Sequence, residues 1–255
     1  MPTLTYLQFH LVFLGLPLLA LAVAAARGVT LLGPRTATPA VRLAGRAVDA
    51  RALGVLVMAV LALVYTTPWD SYLIQRGAWR YGEGTVLARL FAVPLGEYLF
   101  FVAQPVLTAL WLYRLPMDVG PLRIALAQRA LGVGLGGAVS LSGWWLASSD
   151  PGFYLGTLFV WAGPVLALQW GFGWTYLLDR WRTVLAGVGV PTLYLWLVDR
   201  FAIGDGIWYI SDRYTTGLEV PLLGLPIEEA AFFLLTNLFV VQGLVLWEWV
   251  VRRWA

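Results

Sequence analysis

Two stretches of this sequence place carboxylates in matching frames. "PLGEYLFF" (Pro94 to Phe101) and "PIEEAAFF" (Pro226 to Phe233) each set a glutamate, Glu97 or Glu229, three residues after a proline, followed by a phenylalanine pair, Phe100 and Phe101 or Phe232 and Phe233. Upstream, "DSYLIQRGAW" (Asp70 to Trp79) and "DRFAIGDGIW" (Asp199 to Trp208) share Asp, Gly and Trp at identical spacing, with Trp69 just before the first aspartate. Carboxyls among aromatic side chains suit general acid–base work on an apolar substrate: a neutral acid gives a proton and a carboxylate takes one. Aromatic faces stabilise a cation formed in between. Each piece also has an ordinary structural explanation. Proline followed by acids is how many helices begin, and Trp69, Trp79 and Trp208 suit a membrane interface. The recurrence of the whole pattern favours a site.

Helical spacing puts Glu97, Phe101, Gln104 and Thr108 on one face of the helix after Pro94, and Glu229, Phe233, Thr236 and, nearby, Asn237 on one face of its counterpart. Such a polar stripe on an apolar helix faces a cavity or another helix. For Gln104, Thr236 and Asn237 hydrogen bonding between helices is an equal alternative, contributing about 0.6 kcal/mol on average. Glu228 has Gly96 as its counterpart. The working pair is therefore expected to be Glu97 and Glu229, with Glu228, Asp70 and Asp199 as support or as the second acid–base partner.

The elements that must position these residues are membrane helices. The chain of 255 residues is 60% hydrophobic and 12% charged, with a mean hydropathy of +0.76, outside the range of soluble domains. Apolar stretches run over Leu4 to Ala26, Arg51 to Tyr65, Glu97 to Tyr113, Ile124 to Ala147, Phe153 to Tyr176, Val184 to Val198 and Glu229 to Val250. An all-α polytopic membrane protein of about seven transmembrane helices is expected, the second and sixth continuing into the polar segments after them. "LPLLAL" (Leu16 to Leu21) matches "GPVLAL" (Gly163 to Leu168), which completes an internal repeat. Residues 1–115 and 151–255 read as parallel three-helix repeats and 116–150 as a connector helix, with the shared site between the repeats.

Arginines cluster in the first connection (Arg27, Arg35, Arg42, Arg46, Arg51), the third (Arg114, Arg123), the fifth (Arg180, Arg182) and the C-terminus (Arg252, Arg253), although the second also holds Arg76, Arg80 and Arg89. The positive-inside rule then puts the N-terminus outside and the C-terminus in the cytoplasm. The first helix lacks a positive leading region and is read as retained, not cleaved.

Several chemistries are excluded. There is no cysteine, the single histidine is His10, and every basic residue is an arginine, so thiolate metal sites, His-rich sites and a retinal Schiff base are ruled out. No Walker loop, HExxH, nucleophile elbow or aspartate-rich DxxxD occurs. "GVGLGG" (Gly132 to Gly137) lies inside an apolar helix with no preceding strand and is read as a packing surface. No basic stripe with interleaved aromatics points to nucleic acid.

At "TTPWDSYLIQRGAWRYG" (Thr66 to Gly82), "PLGEYLFFVAQPVLTALW" (Pro94 to Trp111), "WYISDRYTTG" (Trp208 to Gly217) and "LPIEEAAFFLLTNLFVVQGL" (Leu225 to Leu244) the sequence resembles the integral-membrane lycopene cyclases, in their fused two-repeat form. The resemblance covers essentially the whole chain. It departs where Gly96 stands in place of the family's first acid. It implies a redox-neutral isomerisation of lycopene, an acyclic carotenoid, to γ-carotene and then β-carotene, with no cofactor or metal. The enzyme would sit in membrane lipid, with other carotenoid-pathway enzymes or a second copy as partners. A carboxylic acid protonates the terminal double bond, the next double bond closes the ring, and a carboxylate removes a ring proton. The aromatic residues, with Gln104, Thr236 and Asn237, would hold the substrate. Cyclases of C50 carotenoids or of ε- and γ-rings, and small-solute transporters built as three-plus-one-plus-three parallel repeats, remain alternative readings.

Overall fold

The computed structural model describes residues 2–31, 40–43, 46–117 and 119–254, so Arg35 of the first connection lies outside the described residues. Its long helices are α1 (Tyr6–Ala26), α2 (Ala50–Arg76), α3 (Leu95–Leu112), α4 (Leu126–Leu146), α5 (Phe153–Asp179), α6 (Trp181–Asp205) and α7 (Ile227–Trp254). Among the described residues six of them, all but α4, are long and apolar enough to cross a membrane. This is an all-α polytopic membrane protein. The expected count of seven spans is not reached on that measure, because α4 dilutes its leucines with glycine, serine, glutamine and arginine.

Local sequence explains where the helices start and stop. Asp49 caps α2 by accepting hydrogen bonds from the backbone N–H groups of Arg51 and Ala52. Gly77 and Gly206 end α2 and α6 in the left-handed conformation, with φ of 76° and 75°, which glycine adopts without a steric penalty. Both helices thus continue into the polar segments after the apolar stretches, as expected, which carries Asp70 and Asp199 inside them. α1 contains a π-turn, Leu11–Gly15. Tyr6 precedes Pro17 by one residue more than Tyr154 precedes Pro164, and a π-turn absorbs one extra residue.

The connections repeat as well. After α2, a strand of Trp79–Tyr81 pairs antiparallel with a strand of Trp208–Ile210, which follows α6. The register sets Trp79 opposite Ile210 and Tyr81 opposite Trp208, joining the two halves over the ends of their helices. Two-residue ribbons, Arg89–Leu90 with Val93–Pro94 and Glu219–Val220 with Leu225–Pro226, lead into α3 and α7.

α7 lies among α2, α3, α5 and α6, while α4 lies along α5. A Cβ at Gly132 or Gly136 would come within 2.6 Å of the Trp170 backbone or 2.3 Å of the Ala167 backbone, so only glycine permits this approach. "GVGLGG" is thus a helix-packing surface, as small residues are in membranes. Leu112, Tyr176, Val241 and Leu244 anchor the apolar core in one half of the bundle. There Glu248, 1% exposed, is held by Arg51 at 3.1 Å and Arg252 at 2.9 Å.

Candidate active site

At the other end of the bundle one cavity, of about 630 Å³ of empty space, gathers Asp70 from α2, Glu97 from α3, Asp199 from α6 and Glu229 from α7. Trp69, Trp79, Phe100, Trp208, Phe232 and Phe233 are also on its wall. Among the described residues no arginine or histidine forms an ion pair with these carboxyls. Arg76 lies over the Phe153 ring and Arg200 donates to the Leu223 carbonyl, so neither neutralises the aspartates beside it in sequence.

The polar contacts of the acids are unequal. The Tyr6 and Tyr81 hydroxyls both donate to Glu97 Oε1 at 2.7 Å, and Trp79 Nε1 donates to the Tyr81 oxygen at 3.0 Å. Glu229 Oε1 accepts one hydroxyl, Tyr154, at 2.8 Å. Trp208 Nε1 donates to Asp199 Oδ1 at 2.9 Å. No hydrogen bond reaches Asp70 among the described residues, and Oδ2 of both aspartates is buried without a partner. Tyr81 lies outside the spanning helices. Burial, then the charges of Glu97 and Asp70, push its phenol well above the usual 10, so it remains a hydrogen-bond donor.

Tyr6 and Tyr154 sit near the starts of α1 and α5, and hold Glu97 and Glu229 respectively. Matching them needs a one-residue slip between the copies, which the π-turn of α1 supplies. That slip hid them from a comparison at fixed spacing, although "YL" opens both segments (Tyr6-Leu7 and Tyr154-Leu155). Tyr81, whose matching position after α6 is taken by Ile210, gave no repeat signal. His10 was also missed. Its Nδ1 is 2.9 Å from the Tyr6 carbonyl, which can only accept, so that nitrogen carries the hydrogen. Nε2 is left as a buried lone pair without a partner on a residue lining the cavity.

The aromatic residues form a continuous wall. Trp69 stacks on Phe232 with centroids 5.8 Å apart and on Trp161 at 5.0 Å, and Phe100 meets Phe233 edge-on at 5.9 Å. These π faces flank the acids, where a carbocation gains most from them.

The remaining predicted residues lie elsewhere. Glu228 is fully buried but off the cavity, and its Oε1 accepts from the Thr216 backbone N–H and hydroxyl, each at 2.8 Å. It holds the loop before α7. Its counterpart is Gly96, where a Cβ would come within 2.4 Å of the Tyr6 ring, so the position that carries an acid in one half makes room for Tyr6 in the other. Phe101, Gln104 and Thr236 border a separate apolar groove. Asn237 borders neither space. Its Oδ1 accepts from Gln104 at 2.7 Å and Thr108 at 2.6 Å, and its Nδ2 donates to Thr192 at 3.1 Å. Those bonds tie α3, α6 and α7 together beneath the cavity.

A family model described as lycopene cyclase matches residues 37–115 and 151–246. The chain is 48% identical to the lycopene beta-cyclase of Halobacterium salinarum over 259 residues, 99% of each chain. It is 36% identical over 198 residues to a bifunctional lycopene cyclase/phytoene synthase of Gibberella fujikuroi, covering 72% of this chain and 33% of that one. A protein of the same description from Leptosphaeria maculans is 34% identical over 200 residues, covering 73% of this chain and 34% of its own length. No solved structure matches.

Proposed function

This chain belongs to the lycopene cyclase family, and from that premise we propose that it closes β-rings on the acyclic ends of lycopene by proton transfer in the cavity of Glu97 and Glu229. The observation that carries the reading is the meeting of these two glutamates, one from each half, in a single cavity walled by tryptophan and phenylalanine. A neutral acid adds its proton to the terminal double bond and leaves a tertiary cation. The next double bond attacks it, closing a six-membered ring and moving the charge to a ring carbon. A carboxylate then removes the adjacent ring proton as the new double bond forms. One proton enters and one leaves, so the reaction is an isomerisation whose balance needs no oxidant, nucleotide or metal.

The unequal hydrogen bonding supports a division of labour. A carboxylate that accepts hydrogen bonds holds its charge at lower cost. Glu97 accepts two hydroxyls and is the base. Glu229 accepts one and is the proton donor. Asp70 and Asp199 line the same space and return the proton between turnovers, while Glu228 serves the loop. Trp69, Phe100, Phe232 and the unpaired His10 Nε2 supply electron density toward the cation and keep water from trapping it as an alcohol.

In this reading residues 1–115 and 151–255 are parallel repeats around the connector 116–150, with the site at their interface. α4 is a seventh span in this arrangement, with the N-terminus outside and the C-terminus cytoplasmic. Expression in cells that accumulate lycopene tests the function. A change from red to orange-yellow, with β-carotene found by chromatography, is expected. Unchanged pigment with solute uptake would favour the transporter reading, and ε- or γ-ringed products would move the assignment within the carotenoid cyclases.

A further inference from the structure

The acid cavity is too small for the whole substrate. A carotenoid of about forty carbons, each taking roughly the 30 Å³ of a water molecule, needs on the order of 1,200 Å³, against about 630 Å³ of empty space among the acids. A second space of about 1590 Å³ adjoins it, bordered by α2, α3, α5 and α7. Phe100 and Phe232 belong to the walls of both. The second space is a groove that opens on the flank of the bundle, where Leu61 of α2 is 54% exposed and Leu168 of α5 is 74% exposed.

Most of the groove's polar groups turn their hydrogen bonds into the protein, while Gln169 Oε1 and Trp161 Nε1 are buried without a partner. The Tyr65 hydroxyl donates to the Trp161 carbonyl at 2.8 Å, Gln169 Nε2 to the Phe239 carbonyl at 2.9 Å, and the Thr236 hydroxyl to the Phe233 carbonyl at 3.2 Å. Gln104 is engaged with Asn237. What faces the open space is hydrocarbon, with Met58, Val165 and Phe172 among the wall residues. A polar solute would find few partners there. A long apolar chain buries its surface at roughly 25 cal/mol per Å².

We propose that this groove holds the polyene body of the acyclic carotenoid, entering sideways from the hydrocarbon core of the membrane, while one end of the molecule parts the Phe100 and Phe232 rings, whose centroids are 6.4 Å apart, to reach the acids. The proposal rests on the cyclase reading above and adds where the unreacting part of the substrate lies. It makes the groove a determinant of substrate length, and the acid cavity a determinant of ring chemistry.

Val165→Trp and Leu168→Trp each crowd the groove from α5, away from the acids. Purified protein in lipid vesicles is offered lycopene, or an acyclic-ended polyene of about half its length. Both variants are expected to lose roughly tenfold or more on lycopene, the scale on which a crowded apolar pocket rejects a ligand, and to keep wild-type turnover of the short polyene. Equal losses on both substrates, or no loss on either, would overturn the proposal. A wild-type protein that cyclises neither substrate would instead contradict the cyclase reading on which it rests.

Discussion

Removing the hydroxyls that hold Glu97 should slow the reaction and loosen its product selectivity. Tyr6→Phe deletes one donor while keeping the ring that packs 5.2 Å from Trp208 and 5.8 Å from Tyr81. Tyr81→Phe deletes the other and leaves Trp79 Nε1 without its acceptor. A hydrogen bond to a charged group contributes about 1.5–3 kcal/mol, and about 1.4 kcal/mol is tenfold in rate. A bond used in full by the transition state is therefore worth roughly 10- to 150-fold. Both hydroxyls meet the same oxygen, Oε1, so the survivor compensates in part when one is lost, as contacting groups do. Single variants should fall by about tenfold, near the low end. The double variant should fall by more than the product of the two. Because the proton donor is untouched, the cation still forms, and a larger share of it should end as alcohol or as other ring isomers. Initial rates and product chromatography on purified protein measure both effects, with Tyr98→Phe as control because that hydroxyl bonds the Leu90 carbonyl instead. A double variant with wild-type rate and only β-rings would refute the role given to these phenols.

Three further variants separate chemistry from support. Glu228→Gln keeps an oxygen for Thr216 and should leave the rate within about twofold, with at most about 1–3 kcal/mol of stability lost; abolished ring formation in a folded protein would contradict the structural role. Gly96→Ala drives a methyl into the Tyr6 ring and should cost at least as much activity as Tyr6→Phe, measured by the same initial rates. Glu248→Gln strips the buried partner of Arg51 and Arg252. It should lower the yield of folded protein by the roughly 3–5 kcal/mol of a broken buried pair, while the fraction that folds, isolated by size exclusion, keeps the wild-type ratio of products.

Much of the site was legible because the chain states it twice. Glu97 with Glu229, Asp70 with Asp199 and Trp79 with Trp208 could be matched by spacing alone, and all six line one cavity. The residues that hold the glutamates were hidden for different reasons. The π-turn in α1 shifts Tyr6 out of register with Tyr154, and Tyr81 belongs to one half alone. The polar stripe left open whether each residue meets a cavity or another helix, because helical spacing says which residues share a face and not what that face meets. Glu97 meets the cavity, Gln104 the groove and Asn237 three neighbouring side chains. The second and sixth spans were expected to continue into the polar segments after them, and α2 and α6 do run on to Gly77 and Gly206, carrying both aspartates inside their helices.

The most direct test is product analysis of Glu229→Gln and Glu97→Gln in inserted, folded protein supplied with lycopene. Glu229→Gln is predicted to leave lycopene unchanged, since no cation forms without the proton donor. Glu97→Gln is predicted to consume lycopene slowly into alcohols and non-β rings, since the cation forms but loses its proton elsewhere. Full β-carotene formation by either variant would contradict the account.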